Sequence, residues 1–298
     1  MRQALLICVL LLSSWSAAQD CTAYVVVNVY NSKLSIDVLT LKAEDFEARM
    51  DGTVLPIVSF KQEYSSRLLV LVETDGMDNS QVADAVDTVT RMSRQAPQGQ
   101  PVAFGVYADR AVFTKGFIAD VQERTAAISA VREEASSLGK RVAMFDALHQ
   151  GLQLFGQHQP GDALLLVGFP YDDKSRHSAG DVEKEFLATG TRFMAMLRDP
   201  MSHVSRDYLL NPHTAEKRMF YDLPEKTGGA HTSFDPHFFG WGWRGYMMGL
   251  KVPGGVRKPR SEKWKLKFRG EAVEAFKKSH LYFPEYLPAC ASPAADPR

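Results

Sequence analysis

The chain has 298 residues, of which 45% are hydrophobic and 23% charged, enough for one sizeable domain or for a domain with an attached module. Its 35 basic and 35 acidic residues give no net charge. Nothing in this balance points to nucleic acid or an anionic membrane, so we expect neither as a partner, and signs of a partner must be sought in local features.

Residues 1–18 have the pattern of a secretory signal peptide. Arg2 precedes an apolar run, and the small residues Ser16 and Ala18 suit cleavage before Gln19. The apolar run is too short to span a bilayer. We therefore expect a secreted or periplasmic protein, with no membrane insertion once the signal is removed.

Two cysteines, Cys21 and Cys290, remain at the two ends of the predicted mature chain. Export places them in a compartment that permits disulfides. One hypothesis is a bridge that ties the termini together. The alternative is two free or intermolecular thiols.

Two segments predict β-structure outside the centre of the chain. In residues 19–63, Tyr24 to Tyr30 form a strand, and Asp51-Gly52 is a hairpin signal between two further strands. In residues 231–298, the stretch 264–268 alternates strictly between apolar and basic residues, as a half-buried strand does. We predict that both segments pack together as a small β module. The aromatic stretch 234–246 either forms an exposed binding patch or, the favoured interpretation, packs the module on its neighbour.

Residues 64–230 predict the main domain. After Arg67, the stretch 68–72 is apolar without alternation, which indicates a strand buried on both faces. Further strands are predicted at 102–107, 111–113, 162–167 and 192–197, and helices at 82–92, 118–138, 144–155, 179–189 and 214–221. This alternation predicts an α/β fold with a doubly wound, mostly parallel sheet. Ligands of such sheets bind beyond the carboxyl ends of the strands, where this chain has Glu73, Thr74, Asp75 and Met77.

The order of these segments, with several short motifs, resembles von Willebrand factor A-like domains, and specifically the secreted VWFA-related proteins of acidobacterial type. An N-terminal motif is matched by Leu41, Glu44, Asp45, Phe46, Asp51 and Gly52. Two central motifs are matched by Gly139, Ala143, Asp146, Ala147 and Leu148, and by Leu223, Thr227, Gly228 and Gly229. The tail 244–250 is similar to the family's last strand. The resemblance implies a protein-interaction role of the adhesion or scaffold type, with an unidentified protein partner.

The metal site of that family is degenerate in this chain. The family coordinates a divalent cation with Asp-x-Ser-x-Ser, a threonine and a third-loop aspartate. The corresponding residues here are Glu73, Asp75 and Met77, then Val142, then Gly168 or Phe169. Methionine and valine side chains offer Mg²⁺ no hard oxygen. We therefore expect no cofactor, with Mg²⁺ or Ca²⁺ held by Glu73, Asp75 and Asp172 as the disfavoured alternative.

Other polar clusters have competing interpretations. Residues predicted to contact a ligand are Glu73, Thr74, Asp75, Met77, Val142, Asp172 and Asp173. Asp172, Asp173 and His177 could also rebuild a cation site, but a solvated acidic loop is favoured. His231, Asp235 and His237 could bind zinc, but a polar loop is favoured because no fourth ligand is evident. Glu73 and Asp75 could serve a hydrolase as paired carboxylates. The sequence contains none of the common hydrolase, phosphate-binding or zinc-protease motifs, so we expect a non-enzymatic protein.

Overall fold

The computed structural model describes residues 20–31, 36–62, 66–74, 86–87, 90, 94–197, 214–233, 244–253 and 263–290. The strands are β1 Cys21–Asn31, β2 Ile36–Asp37, β3 Phe46–Met50, β4 Thr53–Leu55, β5 Ile57–Lys61, β6 Leu68–Glu73, β7 Val102–Tyr107, β8 Ala111–Phe113, β9 Ala163–Gly168, β10 Arg192–Leu197, β11 His231–Ser233, β12 Tyr246–Val252, β13 Trp264–Phe268 and β14 Ser279–Tyr282. The helices are α1 Val121–Ala135, α2 Met144–Leu154, α3 Ala179–Thr189, α4 Ala215–Thr227 and α5 Ala272–Ala275.

A six-stranded sheet with the order β11-β10-β9-β6-β7-β8 forms the centre of the molecule. Its strands are parallel except β8, which runs antiparallel to β7. Alternate residues of β6 enter two cores on opposite faces of the sheet, because successive side chains of a strand point in opposite directions. Leu68, Val70 and Val72 pack on the side of α1, whereas Leu69 and Leu71 pack on the side of α2, α3 and α4. The predicted doubly wound α/β fold is confirmed.

The helices begin and end where local hydrogen bonds satisfy their free backbone groups. Asp120 caps α1 by accepting hydrogen bonds from Gln122 N and Glu123 N, at 2.8 and 2.9 Å. The predicted start at Ile118 was too early, since that residue pairs with Val102 in a β-bridge. The predicted end of α4 near Tyr221 was also wrong, because the helix continues to Thr227 and ends at Gly228 in the left-handed conformation. The predicted helix at 82–92 lies mostly outside the described residues.

The N-terminal and C-terminal segments meet in a β module beside this sheet. Strand β1 pairs with β12 and β14, and β12 pairs with β5. A second small sheet has the order β13-β3-β4. Asp51 and Gly52 form the tight turn between β3 and β4 with φ values of 48° and 81°, the positive region that a two-residue hairpin turn requires. The module encloses its own core around Phe46, Tyr246 and Trp264.

A disulfide joins the two ends of the β module. Cys21 is the first residue of β1, and its sulfur is bonded to that of Cys290, with the Cα atoms 5.8 Å apart. The bridge closes a loop with a sequence separation of 269 residues. Within the described residues, no helix has the length and apolar character needed to cross a membrane.

Candidate functional site

The upper face of the sheet, at the carboxyl ends of β6, β7 and β9, contains the predicted site. Glu73 is 1% exposed, and its Oε2 accepts a hydrogen bond of 2.5 Å from the backbone N of Phe169. Thr74 donates to the carbonyl of Tyr107 from both its backbone N, at 2.8 Å, and its Oγ1, at 3.1 Å. These contacts tie β6 to both neighbouring strands. Asp75 and Met77 lie outside the described residues.

Glu73 and Gly168 fit each other closely. A Cβ atom on Gly168 would lie 2.6 Å from Glu73 Oε2, 2.9 Å from Glu73 Cβ and 3.0 Å from the hydroxyl of Tyr107. Gly168 is one of the two residues corresponding to the family's third-loop aspartate. The buried Glu73 carboxylate therefore takes up the space that a side chain at position 168 would need.

We expect Gly168→Ala to lower the free energy of unfolding by about 1–3 kcal/mol, the usual cost of overpacking. The contact also predicts that Glu73→Ala and Gly168→Ala are not additive, because removing the carboxylate relieves the shortest contact, at 2.6 Å, while the Cβ of residue 73 remains at 2.9 Å. Urea denaturation of the two single variants and the double variant measures this. Additive losses would refute the proposed fit.

The amino terminus of α2 is capped by residues from another loop. Its N-cap residue, Ala143, has no side chain that could cap the helix, and Val142 beside it is fully buried. Asp173 Oδ1 accepts a hydrogen bond of 2.7 Å from Val142 N, and Asp172 Oδ2 accepts one of 3.0 Å from Phe145 N. Carboxylates stabilise a helix amino terminus through its free N–H groups and its positive dipole end. Asp172 thus caps this helix through Phe145 N, and Asp173 binds the backbone of Val142, the residue before the N-cap. Their contact with a ligand stays a prediction.

The carboxyl-terminal part of the same loop, which follows β9, is held to α2 by His177 and His149. Asp146 Oδ1 accepts hydrogen bonds from the backbone N of His177 at 3.0 Å and of Arg176 at 3.1 Å, and lies 2.6 Å from the His177 ring Nδ1. The His177 ring stacks on His149 at 4.1 Å between centroids, and His149 Nδ1 lies 2.8 Å from Glu185 Oε2. Burial acts to raise the pKa of Asp146, but the hydrogen bonds from His177 and Arg176 outweigh it and lower the pKa.

Asp109, in the turn after β7, joins a third loop to this face. Its Oδ1 accepts a hydrogen bond of 2.7 Å from Gly139 N, and its Oδ2 lies 3.2 Å from Lys174 Nζ. The Gly139 hydrogen bond lowers the pKa of Asp109 most, and Lys174 and Arg110 lower it further against the effect of burial. The loops after β7, α1 and β9 are therefore cross-linked by carboxylates.

These lowered pKa values predict a loss of stability in acid. A carboxyl whose folded-state pKa lies below its ordinary value near 4 stabilises the fold fully above that value and progressively less as the pH falls through the lowered pKa. We expect Asp109→Asn to destabilise the protein at pH 6, and the difference from the wild type to shrink as the pH falls below about 4. Urea midpoints measured across this range test the prediction. A difference that is independent of pH would contradict it.

Basic side chains lie at the surface of the described loops of the upper face. We call Arg110, Lys140, Arg141, Lys174 and Arg176 the basic rim. Arg176 is 89% exposed, Arg141 61%, Arg110 51% and Lys174 39%, and Lys140 is also exposed. The sequence analysis did not identify this rim, although Lys140-Arg141 and Lys174-x-Arg176 lie in loops at the upper face. The signal was divided among three loops that are distant in sequence.

The remaining predicted clusters are only partly described. His231 begins β11 and meets the ring of Tyr221 edge-on, at 4.9 Å between centroids. Asp235, His237 and the aromatic residues 234–243 lie outside the described residues. In the part of the chain that the structure describes, no three His, Cys, Asp or Glu side chains converge in a group able to hold a metal.

A cavity lies at the end of the sheet opposite the upper face, between the α/β domain and the β module. This cavity of about 270 Å³ is lined by residues that include Tyr24, His158, Thr191, Arg192, Lys226 and Tyr286. Arg192 crosses between the two units and donates a hydrogen bond of 3.0 Å to Asn28 Oδ1. Burial lowers the pKa of His158, whose Nδ1 lies 2.9 Å from Thr191 Oγ1. The cavity is remote from the predicted site.

Neither a protein-family model nor a curated protein sequence matches the chain. Among solved structures, the chain is similar to BatB, a conserved hypothetical protein of Bacteroides thetaiotaomicron, with 14% identity over 57% of this chain and 91% of that one and a TM-score of 0.43. A serine-substituted aerotolerance-related membrane protein of Bacteroides fragilis has 13% identity over 57% and 92% of the two chains and a TM-score of 0.43. A von Willebrand factor type A structure from Catenulispora acidiphila has 12% identity over 74% and 48%, with a TM-score of 0.44. Such distant similarity carries no inference about function, and the fold class rests on the sheet topology.

Proposed function

We propose that this protein is an exported, non-enzymatic von Willebrand A-like protein that binds another protein through its upper face without a bound metal. The proposal rests on one observation: the carboxylates on that face accept hydrogen bonds from the backbone of the chain itself. Glu73, Asp109, Asp172 and Asp173 each accept a hydrogen bond from the backbone of a neighbouring strand end or loop. The face is therefore a fixed surface held together by the chain itself, which suits recognition by contact.

The same contacts support the proposed metal independence. Mg²⁺ takes several hard oxygen ligands in near-octahedral geometry and is reluctant to lose its waters. At the positions corresponding to the family's ligands, Val142 is buried and aliphatic, and Gly168 has no side chain. Glu73 points its Oε2 at the backbone of Phe169. A cation would have to compete with these hydrogen bonds for its ligands.

Export is supported by two features of the chain. Residues 1–18 have the signal-peptide pattern, and the Cys21–Cys290 disulfide suits an oxidising compartment. The bridge lies just after the predicted cleavage site, so removal of the signal would leave it intact.

Steric blocking of the upper face tests the proposal. Lys140→Cys, coupled to a polyethylene glycol chain under non-reducing conditions, covers this face, and Lys265→Cys coupled in the same way covers an exposed position on β13 of the β module. Each protein is immobilised and incubated with the native exported fraction in chelator, and captured proteins are identified by mass spectrometry. We expect a partner that the wild type and the position-265 conjugate capture and that the position-140 conjugate does not. A partner captured equally by all three would contradict the proposal.

A further inference from the structure

We infer that the surface recognised by the upper face is an acidic protein segment, held by the basic rim. The inference rests on the proposed function, because it concerns the partner of the same face. Its basis is the arrangement of charge among the described loops, in which basic groups and carboxylates lie at different depths.

The acidic side chains of this face lie deeper than the basic ones with which they pair. The Asp146 side chain is 14% exposed and its partner Arg176 89%, while Asp173 is 33% exposed and its partner Arg141 61%. Asp109 is 22% exposed, against 51% for Arg110 and 39% for Lys174. Over these described loops, an approaching molecule therefore meets guanidinium and ammonium groups first.

The carboxylates are also committed to the fold. Asp109 accepts from Gly139 N, Asp173 from Val142 N, and Asp146 from the backbone of both Arg176 and His177. These hydrogen bonds hold the carboxylates against the loops, so they cannot follow the rim side chains outward. The rim side chains have further contacts of their own, since Arg110 also donates to Ser137 O and Oγ and Arg141 donates to Asp173 O. An added carboxylate would share these donors.

The existing ion pairs leave the rim able to bind a second carboxylate. Arg176 Nε lies 3.8 Å from Asp146, and Arg110 Nη1 lies 3.5 Å from Asp109, both at solvent-exposed positions. Exposed pairs of this kind contribute only about 0–1 kcal/mol. An arginine has five N–H donors and can bind a further carboxylate through two of them. Several carboxylates in one partner segment would engage several rim residues together.

Protein is a better fit for this rim than nucleic acid. The chain as a whole carries 35 basic and 35 acidic residues, so the attraction is confined to a local patch. Nucleic-acid binding depends on many simultaneous phosphate contacts across a basic surface. A patch of five basic side chains from three loops matches a short acidic segment.

A labelled peptide of ten glutamates is the probe. Its binding to the full mature protein is measured by fluorescence anisotropy at low salt, for the wild type, for Lys140→Glu/Arg176→Glu and for the control Lys265→Glu/Lys277→Glu. The two double variants change the net charge equally, and the control residues lie on the β module. Lys140 and Arg176 suit the test because Arg176 donates its hydrogen bond to Asp146 through its backbone N, and its side chain adds only the exposed ion pair at 3.8 Å. Melting curves establish that each variant is folded.

We expect the rim variant to bind the peptide at least about tenfold more weakly than the wild type, and the control within about twofold, since reversal converts two attractive contacts into repulsive ones. Absence of peptide binding by the wild type, or equal losses in both variants, would overturn the inference. Tighter binding of a ten-nucleotide single strand than of the peptide would also overturn it, in favour of a general polyanion surface.

The capture experiment separates this inference from the proposed function. If the position-140 conjugate loses the captured partner but Lys140→Glu/Arg176→Glu keeps it, the acidic-segment inference fails and the proposed function stands.

Discussion

Replacing Gly229 with alanine is expected to lower the free energy of unfolding by about 4 kcal/mol or more, among the largest effects of a single substitution. Gly229 follows α4 and passes directly over β10. A Cβ atom there would lie 1.9 Å from the carbonyl oxygen of Phe193 and 2.8 Å from its carbonyl carbon. These are backbone atoms of a central strand, so they cannot rotate away as a side chain would.

The neighbouring contacts leave no easy route for relief. Thr227 Oγ1 accepts a hydrogen bond of 2.9 Å from Phe193 N and donates one of 2.9 Å to Leu223 O. Gly229 N donates to Pro224 O at 2.8 Å. The Thr227-Gly228-Gly229 motif thus ends α4 and fastens it to β10 at the closest approach of the two backbones.

Gly116→Ala is the matched control for this prediction. Its backbone φ lies outside the positive region, and no heavy atom lies within 4 Å of the position a new Cβ would take. We expect the free energy of unfolding of the Gly116→Ala variant to stay within about 0.5 kcal/mol of that of the wild type. Urea denaturation compares the two variants. A Gly229→Ala variant as stable as Gly116→Ala would mean that the backbone contact is not as close as described.

The second large effect concerns the disulfide. We expect Cys21→Ser/Cys290→Ser to lose about 2–5 kcal/mol, because the bridge restricts a very long loop in the unfolded chain. It also joins the first strand of the β module to the segment that follows β14, so its removal should loosen the module first. A thermal or urea transition of the mature protein measures the loss.

Reductant provides the control for the disulfide prediction. Reduction of the wild type should reproduce the destabilisation of the double serine variant, and the variant itself should not respond. Equal stability of the wild type with and without reductant would show that the bridge contributes nothing. A response of the serine variant would trace the effect to something other than the bridge.

The fold could be predicted from the sequence because its signals are local. Leu68 to Val72 form an unbroken apolar run, and the structure buries every residue of β6. Asp51-Gly52 specifies a hairpin turn through its own backbone preferences. The start of α1 was predicted less accurately, because Ile118 fits a helical pattern but forms a β-bridge with Val102.

The contacts at the upper face could not be predicted because they join residues that are distant in sequence. Glu73 and Phe169 are 96 residues apart, and Asp173 and Val142 are 31 apart. The sequence indicated which carboxylates lie near strand ends, but not that these carboxylates would accept hydrogen bonds from backbone N–H groups. The sequence predicted solvated or ligand-contacting roles for Asp172 and Asp173, and the structure adds a helix cap for Asp172 and a hydrogen bond from Val142 N for Asp173.

Melting curves in millimolar Mg²⁺, Ca²⁺ or Mn²⁺, compared with curves in chelator, test most directly the central claim that the upper face is a metal-independent surface. A cation bound specifically at a hundredfold excess over its dissociation constant would stabilise the protein by about 2.7 kcal/mol. Glu73 is hydrogen-bonded to the backbone of Phe169, whereas Val142 and Gly168 have no side-chain oxygen. We therefore predict that the curves with and without these ions overlay. An upward shift with any of these ions in the wild type that disappears in Glu73→Ala would contradict the claim and establish a cation site at the strand ends.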